Sequence, residues 1–212
     1  MKQDLKFMLA DDHAIVRKGL KQILVDEFPE SRISEASDGK EVIAALENNT
    51  FDLLICDISM PGTTGLELCK KVKAIHPEIL VLILSMHAEE QYAIRSLRMG
   101  ASGYLTKESA PEELIKAVRH ILAGKKYISS SLAAIMANYL GTNTQQELHE
   151  QLSDRELEVL KQIANGRSLN AIGKKLHLSP NTISTYRARI LEKMKLKSNA
   201  DLIQYAIEHN LK

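Results

Sequence analysis

Across its first 123 residues the chain alternates short apolar runs with stretches whose apolar positions recur at helical spacing. Strands are predicted at 5–10, 31–35, 53–56, 80–84 and 103–105, with helices near 14–28, 39–48, 65–75, 89–99 and 111–123. The runs at 53–56 and 80–84 are apolar throughout, as expected for strands of a parallel sheet covered by helices on both faces. Five such units make an α/β, doubly wound, five-stranded parallel sheet of about one domain. A short helix is expected at 132–140, then a polar, small-residue stretch at 141–146 suited to a flexible joint.

Beyond it the pattern is helical only. Ser153-Asp154-Arg155-Glu156 reads as a capping box opening one helix, and Asn165-Gly166 closes it. Ser168 caps a second helix ending near Leu176. Ser179-Pro180 opens a third running to about Lys195, and Ser198 opens a fourth. Two short helices joined at His177-Leu178 form a helix-turn-helix. The organisation is therefore 1–123, a 124–147 linker carrying a short helix, and an all-α four-helix domain at 148–212.

Composition refines this. Apolar residues make up 44%, enough for ordinary cores, and without Trp the packing is mostly aliphatic. No apolar stretch approaches a membrane span. Met1-Lys2-Gln3-Asp4 leads straight into the first strand, so no secretion signal is expected, and a cytoplasmic location is. Cys56 and Cys69 lack partners at metal-binding spacing and read as buried thiols. Charge is uneven. Residues 1–147 hold 17 Lys and Arg against 20 Asp and Glu, whereas 148–212 hold 11 against 7. From Arg167 to Lys197 there are eight basic residues and one acid, Glu192, which suggests a nucleic-acid surface.

The chemistry gathers at strand ends. Asp11 and Asp12 follow the first apolar run, Asp57 the third, Ser85 the fourth and Lys107 the fifth. In a parallel sheet these C-terminal ends share one edge, where ligands bind. Three acids, a hydroxyl and an ammonium there suit a divalent metal and a phosphorylated carboxylate. Each has a plainer alternative: Asp57 as a turn or cap residue, Asp11-Asp12 as a cap for the first helix, Lys107 as a solvated loop lysine. His87, two residues past Ser85, is expected near the rim as a surface histidine.

Residues 1–123 resemble a bacterial response-regulator receiver domain, a flavodoxin-like fold, through Asp11-Asp12, Asp57-Ile58-Ser59-Met60-Pro61-Gly62, Ser85 and Lys107. The resemblance implies phosphorylation of Asp57 by a sensor histidine kinase, with Lys107 and Ser85 assisting. It implies Mg2+ held by Asp11, Asp12, Asp57 and the Ser59 backbone carbonyl, and a switch pair, Ser85 and Tyr104. Phosphate is expected to draw Ser85 inward and let Tyr104 turn. Lys107 is followed by Glu108 where relatives often have proline.

Residues 152–211 resemble a LuxR-type DNA-binding domain through Leu152 to Leu160, Ile163-Ala164-Asn165-Gly166, Leu178-Ser179-Pro180-Asn181-Thr182-Ile183 and Ile190 to Met194. Asn170-Ala171-Ile172-Gly173 departs from the usual Asn-Lys-Glu-Ile-Ala. On the third helix, Ile183, Tyr186, Ile190, Leu191 and Met194 share a packed side, leaving Ser184, Thr185, Ala188 and Arg189 for the major groove. Arg187, Lys193, Lys195 and Lys197 suit phosphates. Together the two resemblances are those of the NarL/FixJ regulators, which implies promoter DNA as a partner and a homodimer in the phosphorylated form. No enzyme is expected beyond Mg2+-dependent self-phosphorylation and self-dephosphorylation at Asp57. Two other classes compete. A phosphohydrolase using Asp57 would want a general acid/base two residues on, where Ser59 is poor. A receiver with a basic protein-docking tail would lack salt-dependent DNA binding.

Overall fold

The structure is a computed structural model and describes residues 4–86, 89–141, 148–209 and 211. His87 and all but the first residue of the 141–146 joint lie outside them. The chain divides into two compact units, Met1–Thr142 and Asn143–Lys212.

In the first unit, β1 (Lys6–Ala10), β2 (Arg32–Ala36), β3 (Leu53–Asp57), β4 (Leu80–Ser85) and β5 (Gly103–Thr106) form a parallel sheet of order β2-β1-β3-β4-β5. The helices α1 (Ala14–Glu27), α2 (Gly39–Asn48), α3 (Gly65–Ile75), α4 (Glu89–Arg98) and α5 (Ala110–Leu122) connect and flank these strands. β3 is buried at all five positions, as its unbroken apolar run requires. Phe7, Leu9, Leu53, Ile55, Leu82, Leu84 and Leu105 fill one core with Leu20 and Leu24 of α1 and Leu114 and Val118 of α5. The expected strands are present; the third, fourth and fifth each run one residue further than expected, and the first two start one residue later. Asp57 is in register with Leu84, and Ser85 with Thr106, so the pairing continues through both functional positions.

The order reverses around β1, which lies between β2 and β3. Connections leave β1 and β3 toward opposite sides there, opening a crevice at their carboxyl ends. Ala10 is in register with Cys56, so the next residues, Asp11 and Asp57, meet at that crevice. The helix α6 (Ser130–Gly141) packs on α4, with Leu132 fully buried, and so belongs to the first unit.

The second unit holds a 3-10 turn at Leu148–Gln151, absent from the sequence reading, and α7 (Asp154–Ala164), α8 (Leu169–Leu176), α9 (Pro180–Met194) and α10 (Asn199–Glu208). Their starts are set by the serines. Ser153 and Ser198 make reciprocal capping boxes with Glu156 and Asp201, and the Ser168 and Ser179 hydroxyls accept from the N–H groups of Ala171 and Thr182. Leu157, Leu160, Ile172, Ile183, Ile190, Met194 and Leu202 form its core. Among the described residues, no helix is long and apolar enough to cross a membrane.

Candidate functional site

The plainer alternatives for the strand-end residues fail on geometry. Thr64, not Asp57, caps α3, its hydroxyl accepting from Glu67 N–H while the Glu67 carboxylate accepts from Thr64 N–H. His13, and neither Asp11 nor Asp12, is the cap residue of α1, and its own side chain makes no cap bond. Lys107 is not solvated: its side chain is 9% exposed. Its Nζ lies 2.6 Å from Asp11 Oδ2 and 2.9 Å from Asp57 Oδ2.

Asp57 is 2% exposed, and its Oδ1 is buried with no hydrogen-bond partner among the described residues. Burial pushes its carboxyl above the ordinary range; the Lys107 charge opposes this and Asp11 reinforces it. Burial also works against the Lys107 ammonium, yet Asp11 and Asp57 outweigh it and hold Lys107 above its usual value. One ammonium is thus shared by two buried carboxylates and cannot compensate both. Asp12 and His13 complete the rim. Ligand atoms of Asp11, Asp12, His13 and Asp57 lie within 4.8 Å of one another, so the acidic cluster can hold a metal ion. A buried carboxylate oxygen without a partner, on a residue of such a cluster, fits a hard cation with open positions.

The surroundings hold these groups in place. Arg17 Nη1 donates to the Asp11 carbonyl at 2.6 Å, and Asp11 Oδ1 accepts the His13 N–H at 2.8 Å. Lys107 N–H donates to the Ser85 carbonyl at 2.7 Å, tying the end of β5 to β4. Ser59, two residues past Asp57, is exposed. Ser85 and Tyr104 are both fully enclosed. The Tyr104 ring lies inside, its residue in register with Ile83 of β4. His13 and Arg17 were missed as site residues; a polar residue directly after Asp11-Asp12 was the available signal.

In the second unit α9 is two-sided. Ile183, Ile190 and Met194 are buried, while Ser184, Thr185, Ala188, Arg189 and Glu192 are exposed. Lys195 and Lys197 are exposed beyond its end. Two of the residues expected to contact phosphates, Arg187 and Lys193, make contacts within the domain. Arg187 Nε donates to Asn199 Oδ1 at 2.6 Å, tying α9 to α10. Lys193 Nζ lies 2.6 Å from Oε2 of Glu156, whose side chain is 3% exposed. That oxygen also accepts from the Ser153 N–H at 2.7 Å. Burial opposes ionisation of Glu156, but Lys193 and Ser153 hold its pKa below normal. The pair's contribution is therefore present above the ordinary glutamate range and lost as pH falls through the depressed value. Because Lys193 is 40% exposed, water screens it. Lys193→Ala is expected to destabilise the second unit by about 1 kcal/mol near neutral pH, an effect that thermal unfolding should show shrinking in acid.

A sheet of this order, with acids at the β1–β3 crevice and a lysine reaching across from β5, defines a receiver, and comparison with known proteins agrees. The model of the response regulator receiver domain matches residues 7–119, and that of the bacterial regulatory proteins of the luxR family matches 150–206. Response regulator UvrY of Escherichia coli is 33% identical over 208 residues, covering 98% of this chain and 95% of the relative. Oxygen regulatory protein NreC of Staphylococcus carnosus is 36% identical over 214 residues, covering 98% and 99%. RcsB of Salmonella enterica, solved bound to a promoter with the phosphomimetic BeF3−, superimposes with a TM-score of 0.60 at 28% identity, covering 95% of this chain and 97% of that one. The chain belongs to the NarL/FixJ response regulators, which join a phosphorylatable receiver to a LuxR-type DNA-binding transcription-regulator domain.

Proposed function

We infer that Asp57 is the phosphoacceptor, that a sensor histidine kinase in the cytoplasm supplies the phosphoryl group, and that the modified chain pairs on promoter DNA. The observation that carries this is the orphaned, buried Oδ1 of Asp57 beside a lysine bridging to Asp11. That oxygen attacks the phosphorus of a phosphohistidine, a P–O bond forms as the P–N bond breaks, and the imidazole leaves with the electron pair. Lys107 is placed to hold a phosphoryl oxygen, its ammonium being charged at any physiological pH. Ser85, at the end of β4, offers a hydroxyl to another. Asp11, Asp12, Asp57 and the Ser59 carbonyl would hold Mg2+, which supplies neutralisation of the oxygens around the transferring phosphorus. Water attacking the same phosphorus would later release inorganic phosphate and restore the carboxylate. Apart from this self-modification the protein is a regulator and not an enzyme.

Since Tyr104 is already enclosed, phosphate would favour an existing arrangement of Ser85 and Tyr104 over a competing one. Two α9 helices in adjacent major grooves, presented by a homodimer, would then give specific affinity that one small module lacks. Labelling with a small acyl-phosphate donor tests the chemistry: incorporation should require Mg2+ and vanish with a chelator. Acid-stable labelling indifferent to Mg2+ would refute it.

The DNA reading has its own test. Arg189→Ala is expected to relax base preference by about 1–3 kcal/mol at one position, whereas Lys195→Ala should weaken all sequences and lower the salt slope by about 1. Shift assays at several salt concentrations read both. A full-length protein with no DNA affinity at low salt would leave the second unit as a docking module.

A further inference from the structure

Besides the Lys107 ammonium, the acidic pocket carries an imidazole at its rim. His13 directs Nδ1 into the cluster, 2.8 Å from Asp12 Oδ1 and 3.2 Å from Asp11 Oδ1. Its position is not explained by helix capping, since its side chain makes no cap bond at the start of α1. It is not explained by packing either, since the side chain is 62% exposed. Resting on the reading of this pocket as a cation site, we propose that His13 is an additional ligand, making the centre a mixed nitrogen–oxygen site for Mn2+-type divalent ions as well as Mg2+. The second observation pointing to a ligand is Asp57, a member of the same cluster whose Oδ1 is buried without a hydrogen-bond partner among the described residues.

The chemistry follows from the donor set. Mg2+ prefers oxygen and holds its waters, so an imidazole adds little to its binding. First-row divalent ions accept imidazole readily, and their affinity for a given site rises from Mn2+ toward Cu2+. With its proton on Nε2, on the solvent side, the ring presents the Nδ1 lone pair to the ion. Without an ion the ring proton is on Nδ1, where Asp11 and Asp12 accept from it; ion binding takes the ring to the Nε2–H tautomer and replaces these contacts with metal–ligand bonds. The consequence is selectivity: the regulator would be loaded with phosphate at lower Mn2+ than Mg2+ concentrations.

The full-length protein, its His13→Ala variant and a His13→Asn variant would be titrated with Mg2+ and with Mn2+ by calorimetry, and Mn2+-loaded samples read by pulsed electron paramagnetic resonance. The parent should favour Mn2+ and show a directly coordinated nitrogen. Both variants should lose that nitrogen signal and lower the Mn2+ to Mg2+ affinity ratio on the order of tenfold, equivalent to ~1.4 kcal/mol, with Mg2+ affinity little changed. Two bound ions with no nitrogen coupling in the parent, or a ratio unmoved by the variants, would overturn the role of His13 and leave the acidic site standing. If neither ion binds the parent, the cation-site reading itself falls, and this inference with it.

Discussion

Asp57→Asn is expected to abolish phosphate uptake and at the same time to stabilise the first unit by on the order of 1–2 kcal/mol near neutral pH. Both effects come from one group. The folded chain raises the Asp57 pKa, burial being the main cause, so folding favours the protonated form. A carboxyl so shifted supports the fold fully below its unfolded value, and that support is lost as pH rises through the folded value. At neutral pH its ionisation opposes folding. Removing the charge leaves Lys107 paired with Asp11 alone, an ordinary one-to-one arrangement. Thermal scans should show the first-unit transition moving up in the variant, with the advantage fading toward acid. Saturating Mg2+ should act unequally on the two proteins, raising the parent by about 2.7 kcal/mol at a hundred times its dissociation constant and the variant far less. A variant less stable than the parent without metal would mean that Lys107 compensates both acids.

The periodicity made the sheet and its helices legible because apolar runs and helical spacing are local properties. Boundaries were harder. β3 and β4 continue through Asp57 and Ser85 because they pair with Leu84 and Thr106, and nothing in either strand announces its neighbour. The convergence of Asp11, Asp57 and Lys107 was legible, since a parallel sheet brings strand ends together whatever the distances turn out to be. What joins residues far apart was not. The Glu156–Lys193 pair links the start of α7 to the end of α9, and only the folded unit turns a basic residue of the presumed DNA face toward a buried acid. His13 escaped notice for a different reason: an exposed histidine after two acids carries no sign of which edge of its ring faces them.

Gly65→Ala is the harshest small change the receiver offers. Gly65 begins α3 and donates to the Ile58 carbonyl at 2.9 Å, which brings the helix start against the chain just past Asp57. A Cβ there would stand 2.2 Å from the Asp57 carbonyl oxygen and 2.9 Å from both the Asp57 carbonyl carbon and Ile58 Cα. All three are backbone atoms, so no rotamer relieves the overlap, and either α3 must withdraw or the end of β3 must move. The cost is expected at about 2–4 kcal/mol of first-unit stability. Any shift of the Asp57 peptide also displaces the carboxylate from Lys107, and an ångström of misplacement can lower a positioned reaction about a hundredfold. Gly19→Ala is the control. Nothing lies within 4 Å of its added Cβ on the exposed side of α1, so helix propensity should make that variant up to ~1 kcal/mol more stable with unchanged phosphate uptake. Calorimetric unfolding and acyl-phosphate labelling of both variants provide the comparison. Full labelling of Gly65→Ala would show that α3 gives way while Asp57 stays fixed, and that the crevice is set by the sheet alone.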